Sequence, residues 1–478
     1  MGQEIESTSF TDADREEFTR RLRAETKILK SWFDDRRFAR TDRPMIGLEV
    51  EAWLLDKDYL PTPCNEAFIA AAKDPLVVEE LAQFNFEINT TPRILMGAIF
   101  SQIEAEMRRT WARCCTAARA VDAAPALFGI LPTVRDEMLQ PQFMSERNRY
   151  HALSQQIMQL RGDKPLHIEI DGEDHFELKC DHIMLEAACT SIQTHIQLNQ
   201  DDAARTINAS MIASAPLVAA SANSPFLYGK SLWEETRIPT FERAIELLGF
   251  RDMQGQRVGR VTFGSGYLRN SMLELFLENL DGYPPLLPML MDEPAEHLAH
   301  LKLHNGTLWR WNRPIVGIGD AEEPHLRLEQ RAMPSGPSVV DAVANAAFAI
   351  GLTLHYARLA EPPETAISFD RARANFYEAA RFGLNAQVRW LDGEQSLQSL
   401  ILDRLLPEAC EGLNAAGVAQ RDVAHYLEDI MHRRILTGRT GAAWQRSYVD
   451  LHGPDFQTLT QAYVENQLTG APVHEWTV

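Results

Sequence analysis

Residues 47–55 read GLEVEAWLL, where Leu48, Val50 and Ala52 alternate with Glu49 and Glu51. Alternation at period two is the mark of a strand with two unlike faces. Three further segments repeat the device. Phe84, Phe86 and Ile88 alternate with Asn85, Glu87 and Asn89. Thr194, Ile196 and Leu198 alternate with Gln193, His195 and Gln197, and Leu326 and Leu328 with Arg327, Glu329 and Arg331. A single polar strand face ordinarily looks at water. A solvated face usually carries lysine, threonine and serine, however, and these four carry mainly carboxylates, amides and arginines without one lysine.

If the four strands share a sheet, their polar faces converge on one concave surface. Carboxylates and an imidazole crowded there repel unless cations neutralise them. Oxygen donors with at most one imidazole suit Mg²⁺ or Mn²⁺ rather than a thiolate-seeking metal. The arginines supply bidentate donors for a carboxylate or a phosphate. Divalent metals beside arginines describe a phosphoryl-transfer site. Neither GxxxxGK[ST] nor a GxGxxG after a strand occurs, and FGSGYLRN near 263 is too loose to count. The P-loop and dinucleotide classes are therefore excluded, leaving folds that hold ATP mainly through metals on a sheet.

The bulk numbers narrow the partners. Of 478 residues, 67 are acidic and 47 basic, a formal net charge of −20 that repels phosphate backbones and argues against nucleic acid. Nucleotides remain allowed, because metal ions bridge carboxylates to phosphates. There is no run of about 18 apolar residues, so no membrane span is expected. The polar, acidic N-terminus lacks the apolar region of a secretory signal. MGQEIES matches the N-myristoylation pattern at Gly2 only loosely, with Ser7 one place off. Six cysteines, at 64, 114, 115, 180, 189 and 410, form no CxxC pair, which fits a reducing cytoplasm.

Along the chain, the periodicity predicts an amphipathic helix over 12–38, a short helix near 66–73 and a long one over 95–123. LHIEI and HFELK read as a hairpin around Asp171-Gly172. An alanine-rich helix follows over 201–222, and from about 338 the pattern is helical to the end. The organisation expected is α+β: an N-terminal helical segment 1–43, an antiparallel-sheet body 44–337 and a helical portion 338–478 packed on it as one unit.

The segments GLEVEAWLLD, ELAQFNFEINTTP, QTHIQLN, ASANSPFLYGK and HLRLEQRAMPSG, in that order, resemble the glutamate–cysteine ligase family. The likeness is greatest to its branch of plant-type glutamate–cysteine ligases and bacterial carboxylate–amine ligases. NFYEAARFGLNA and TGRTGAAWQRSYVD extend it, so that it runs from about 44 to 455. The resemblance implies a glutamine-synthetase-like fold, a curved antiparallel sheet cupping Mg²⁺ (or Mn²⁺) with helices behind. It also implies an ATP-dependent ligase that phosphorylates a carboxylate, usually of glutamate, and lets an amine such as cysteine attack the acyl phosphate. Carried over by position, Glu49, Glu51, Glu87, His195 and Glu329 are metal ligands, and Glu329 with Arg331 is the catalytic pair. Arg327, Arg331 and Gln197 fall to the nucleotide, and Asn89, Asn223 and Arg439 to the substrates.

The residues themselves leave several alternatives open. Asn223 in SANSPF is equally good turn chemistry. Arg439, Gln445 and Arg446 suit a surface loop before a helix as well as a substrate clamp. Trp309 and Trp311 suit a core or rim, Glu169 and Glu177 a solvated hairpin edge, and Glu186 an additional acidic ligand. Gln193 and Gln197 flank the one histidine where the family often has a His-rich or Val-His run. Gln330 stands between Glu329 and Arg331 where Val or Phe is common. Both departures leave the acceptor open. The expectation is thus a cytoplasmic monomer or homodimer acting on small molecules (ATP, glutamate and an amine), with no membrane partner. A different amine, phosphoryl transfer to a guanidino group and an inactive binding or regulatory homologue are the alternatives. An inactive member is expected to have lost part of the charged set, and here the set is complete.

Overall fold

The computed structural model describes residues 5–247, 258–319, 323–391 and 393–478, so Gly2 lies outside the described residues. Helix α1, Asp12–Asp34, begins at a capping box in which Thr11 and Asp14 each accept the other's backbone N–H. It ends four residues before the sequence pattern does. Strands β1 (Met45–Leu55), β2 (Val77–Glu79), β3 (Asn85–Asn89) and β4 (Arg93–Ile94) follow, then helix α2, Ile99–Arg119. Strand β5 (Ala124–Ala126), helix α3 (Asn148–Leu160), strand β6 (Ser191–Leu198) and helix α4 (Ala203–Ser221) come next. Helix α5 (Ala299–Asn305), strands β7 (Asn312–Ile318) and β8 (Pro324–Pro334) and helix α6 (Val339–Arg358) complete the elements around the site.

The eight strands form one sheet in the order β7-β8-β6-β1-β3-β2, with β4 and β5 pairing with the two ends of β1. All of its pairings are antiparallel. The register brings the polar alternates together: Glu49 is opposite Asn89 and Glu51 opposite Glu87. Across the other edge of β1, Gly47 is opposite His195 and Glu49 opposite Gln193. Glu329 then pairs with His195 and Arg327 with Gln197, while Arg313 pairs with Glu329 from the outer strand. The four sequence segments are therefore neighbours, and their polar faces are one surface.

The apolar alternates face the other way. Leu48, Val50, Phe86, Ile88, Ile196, Leu326 and Leu328 are buried, and α4 and α6 pack behind the sheet. One polar thread runs through this layer. Thr194 donates to Gln330 at 2.6 Å, and Gln330 donates to Ser210 of α4 at 2.7 Å and Thr353 of α6 at 2.9 Å. Gln330 thus belongs to the packing of sheet on helices rather than to the site, and its polar groups are all partnered, as burial requires.

Val339–Arg358 is long and apolar enough by composition to span a bilayer, but 94% of its apolar window is buried inside the protein. It is the core helix behind the sheet. The C-terminal portion is mostly helical, as expected, but a two-stranded hairpin, Gln387–Trp390 with Gly393–Ser396, interrupts it. The hairpin read at LHIEI and HFELK forms over Leu166–Asp171 and His175–Cys180.

Candidate active site

A cavity of about 470 Å³ opens on the concave face, with Glu49, Glu51, Glu87, His195, Glu329 and Arg331 among its lining residues. Glu49, His195 and Glu329 each aim one ligand atom within 4.8 Å of the others. His195 Nε2 lies 3.0 Å from Glu49 Oε1 and 3.7 Å from Glu329 Oε1. The other ring nitrogen, Nδ1, is buried without a hydrogen bond among the described residues. Three ligand atoms converge, with the imidazole nearer to Glu49 than to Glu329.

Glu51, Glu80 and Glu87 form a second group on the same scale. Glu51 accepts from the Ser191 backbone N–H at 2.6 Å, from the Ser191 hydroxyl at 3.1 Å and from Gln193 at 3.1 Å. Those bonds aim Glu51 along the strand without neutralising it. Glu80 follows β2 directly and escapes a sequence reading based on alternation, because it stands in a VVEEL run just outside the strand. It enters the group only through the fold.

The electrostatics divide the two groups. Burial works to raise Glu49 and Glu329, but the basic partners win. His195 holds Glu49 at about 2, and Arg313, Arg331 and His195 hold Glu329 well below the usual carboxylate range. In the second group burial wins: Glu51 is pushed up to about 7, with Glu80 adding repulsion, and Glu80 and Glu87 are also raised. Glu186, further along this wall, is pushed up to about 8 by burial and then by Glu80 and Glu51. Such a cluster is short of positive charge, the condition a bound divalent cation relieves.

Three arginines face this acid floor. Arg313, unremarked in the sequence pattern, grips Glu329 with Nε at 2.6 Å and Nη2 at 2.8 Å. Arg331 Nη1 donates to Gln193 at 2.5 Å and to Glu329 at 3.2 Å. Arg327 lines the cavity beside them, its pKa lowered by burial. Arg149 and Tyr150 of α3 and Lys302 of α5 line the cavity as well. Their helical segments carry no strand alternation, so a period-two reading does not pick them out.

Other assigned residues lie elsewhere. Asn89 sits at the edge of the floor and donates to Glu87 at 2.8 Å, and Gln197 accepts from the Met45 N–H at 3.2 Å. Neither is among the cavity-lining residues. Asn223 is wholly buried away from the cavity. It donates to the Ser335 carbonyl at 2.6 Å and to the Tyr463 hydroxyl at 2.9 Å, and accepts from Gln445 at 3.0 Å. Every polar atom of its side chain is thus used in joining the body to the C-terminal helices, which corrects its assignment to substrate. Arg439 donates to the Trp476 carbonyl at 2.9 Å and also lies outside the cavity. Arg446 pairs with Glu234 at 2.8 Å. Trp311 is core, whereas Trp309 reaches the cavity wall. Glu169 and Glu177 are exposed directly opposite each other on the hairpin.

A curled antiparallel sheet with paired acid clusters and arginines on its concave face, backed by helices, is the architecture of a carboxylate–amine ligase. The model of Glutamate-cysteine ligase family 2 (GCS2) matches residues 45–467, and the chain belongs to that family. Enzymes of this family are ATP-dependent ligases that form amide bonds. Among solved structures, the fold is similar to glutamate–cysteine ligase from Francisella tularensis in complex with AMP. That likeness has 13% identity and a TM-score of 0.51 and covers 92% of each chain. It is also similar to a bifunctional glutathione synthetase from Pasteurella multocida, with 13% identity and a TM-score of 0.50 over 90% of this chain. This chain spans just 53% of the length of that protein. No curated protein matches the sequence.

Proposed function

We propose that the enzyme uses Mg-ATP to phosphorylate the γ-carboxyl of glutamate and transfers the acyl group to an amine, with cysteine the leading acceptor. The observation that carries this reading is the pairing of two acid groups, Glu49/His195/Glu329 and Glu51/Glu80/Glu87, on one face beside Arg327 and Arg331. The donor set fits the metal: carboxylate oxygens converging with one buried imidazole. Divalent cations bound there would neutralise phosphate charge as the γ-phosphoryl moves.

The chain's own residues do the remaining work. Arg331 is fixed by Gln193 and Glu329, so its remaining donors are aimed before substrate arrives, and such preorganised charge lowers the barrier to phosphoryl transfer. Arg327 supplies a second cation for phosphate from the far side of Glu329 on the same face of β8. The amine needs placement beside the acyl phosphate more than it needs chemistry. The six cysteines are free thiols, which supports a reducing compartment such as the cytoplasm.

The test is ADP release with Mg²⁺ from glutamate and a panel of amines including cysteine, run with wild type, Glu49→Ala and Glu329→Ala. Release that requires glutamate and one particular amine, and disappears in both variants, supports the reading and names the acceptor. Release with a different acid, or with no acid at all, overturns the glutamate assignment.

A further inference from the structure

We infer that the buried pair Glu235–Arg237 is the positioning device for Arg331, clamping a β-bulge that turns the Arg331 side chain into the cavity. The inference rests on the ligase reading, which gives Arg331 its phosphate, and deepens it by assigning what fixes the aim. Strand β8 changes register on β6 at this point: Gln330 is opposite Thr194, but Met333 is opposite Ile192. Arg331 and Ala332 therefore both oppose Gln193. Two residues against one make a β-bulge, a device that re-aims a side chain and leaves backbone groups out of the ladder. The extra residue keeps Met333 on the buried face with Ile192, while the Arg331 guanidinium reaches Gln193 and Glu329 on the cavity side.

Arg237 closes over the backbone of that bulge. Its Nη2 donates to the Ala332 carbonyl and, at 3.5 Å, to the Arg331 carbonyl. The Arg331 N–H donates to the Trp311 carbonyl at 2.9 Å, and the Arg237 guanidinium lies 5.3 Å from the centre of the Trp311 ring. Glu235 holds Arg237 in turn: one oxygen accepts from Nε at 3.0 Å and the other from the Asn223 N–H at 2.9 Å. Both side chains are buried, Glu235 at 0% and Arg237 at 1% exposure, and neither lines the cavity. Burying two charges is costly, and an apolar pair of similar volume is often at least as stable. The geometry the pair fixes explains it better than stability does. A planar guanidinium spans a carboxylate and two carbonyls at once, a task the single ammonium of lysine cannot share. The SANSPF turn serves the site by this route, because its Asn223 N–H aims Glu235, Glu235 aims Arg237, and Arg237 aims Arg331.

The experiment is a double-mutant cycle on kcat, read as ADP release with Mg²⁺, glutamate and the productive amine. Arg237→Lys and Glu235→Gln are each made alone and combined with Arg331→Lys, and assayed where circular dichroism shows the protein folded. Arg237→Lys should lower kcat about 10- to 100-fold, the cost of misplacing a reacting group by about 1 Å, with the KM for glutamate little changed. In the Arg331→Lys background most of that loss should disappear, because the group that Arg237 positions is already gone; in an Arg327→Lys background it should persist. Additive losses with Arg331→Lys, or a loss confined to the KM for glutamate, overturn the assignment. Glu235→Gln, the milder variant, carries the same cycle where Arg237→Lys does not fold. Crystal structures of the variants read the geometry without turnover: Arg331 should leave Gln193, and an unmoved guanidinium overturns the inference. Wild-type protein that releases no ADP with any acid and amine rejects the ligase reading instead, and the crystal structures then decide for Arg237 separately.

Discussion

Arg313 and Glu329 are direct cross-strand partners, and the guanidinium holds both carboxylate oxygens, at 2.6 and 2.8 Å. Glu329 is 1% exposed and faces His195 on its other side, so its orientation is set before any cation binds. A bidentate fork is the geometry lysine cannot reproduce.

Arg313→Lys should therefore keep the charge and lose the aim. The expected result is a rise of about 10- to 100-fold in the Mg²⁺ concentration needed for half-maximal activity, the usual effect of removing a residue that orients a ligand. Metal titration of activity checks it, and an unchanged titration would mean that Glu329 is aimed by β8 alone.

Glu80 enters the second acid group only through the fold. Glu80→Gln should weaken Mg²⁺ activation by at least about tenfold, whereas Glu79→Gln, which removes a rim ion pair to Arg147, should leave it nearly unchanged. Equal effects of the two substitutions would remove Glu80 from the site.

The second acid group makes the metal-free protein pH-sensitive. Glu51 at about 7 and Glu186 at about 8 are raised by burial, so their stabilising contribution is complete below the ordinary carboxylate range and is lost as pH rises through those values. Glu49 and Glu329 are lowered, and their contribution is lost only in strong acid. Between pH 6 and pH 9, Tm in chelator should fall, and saturating Mg²⁺ should flatten the fall. Parallel curves with and without Mg²⁺ would contradict a cation site at these acids.

Asn223 should matter for folding rather than turnover. Asn223→Ala leaves the Ser335 carbonyl, the Tyr463 hydroxyl and Gln445 short of a partner, at a cost of about 1–3 kcal/mol. Denaturant unfolding measures that loss. At a temperature where the variant is folded, its KM for glutamate should equal that of wild type, and a selective rise in KM would return Asn223 to the substrate site.

Much of the floor was legible from the sequence, since Glu49, Glu51, Glu87, His195, Arg327, Glu329 and Arg331 lie at alternate strand positions. The period of two is a local property of the backbone, and it assigns each side chain to a face without any knowledge of the neighbours. SANSPF misled for an equally local reason, because a buried structural asparagine and a substrate-binding one look the same in a turn. What the sequence by itself determined was therefore the strands, their two unlike faces and the kind of chemistry those faces carry. Which strands became neighbours, and that Glu80, Arg313 and Arg149 close around the same cavity as the candidate ligand Glu186, was decided only by tertiary structure. Those four come from a strand end, an outer strand, a helix and a 3₁₀ turn, and no shared periodicity connects them. Their convergence is set by pairing register and helix packing over long sequence separations.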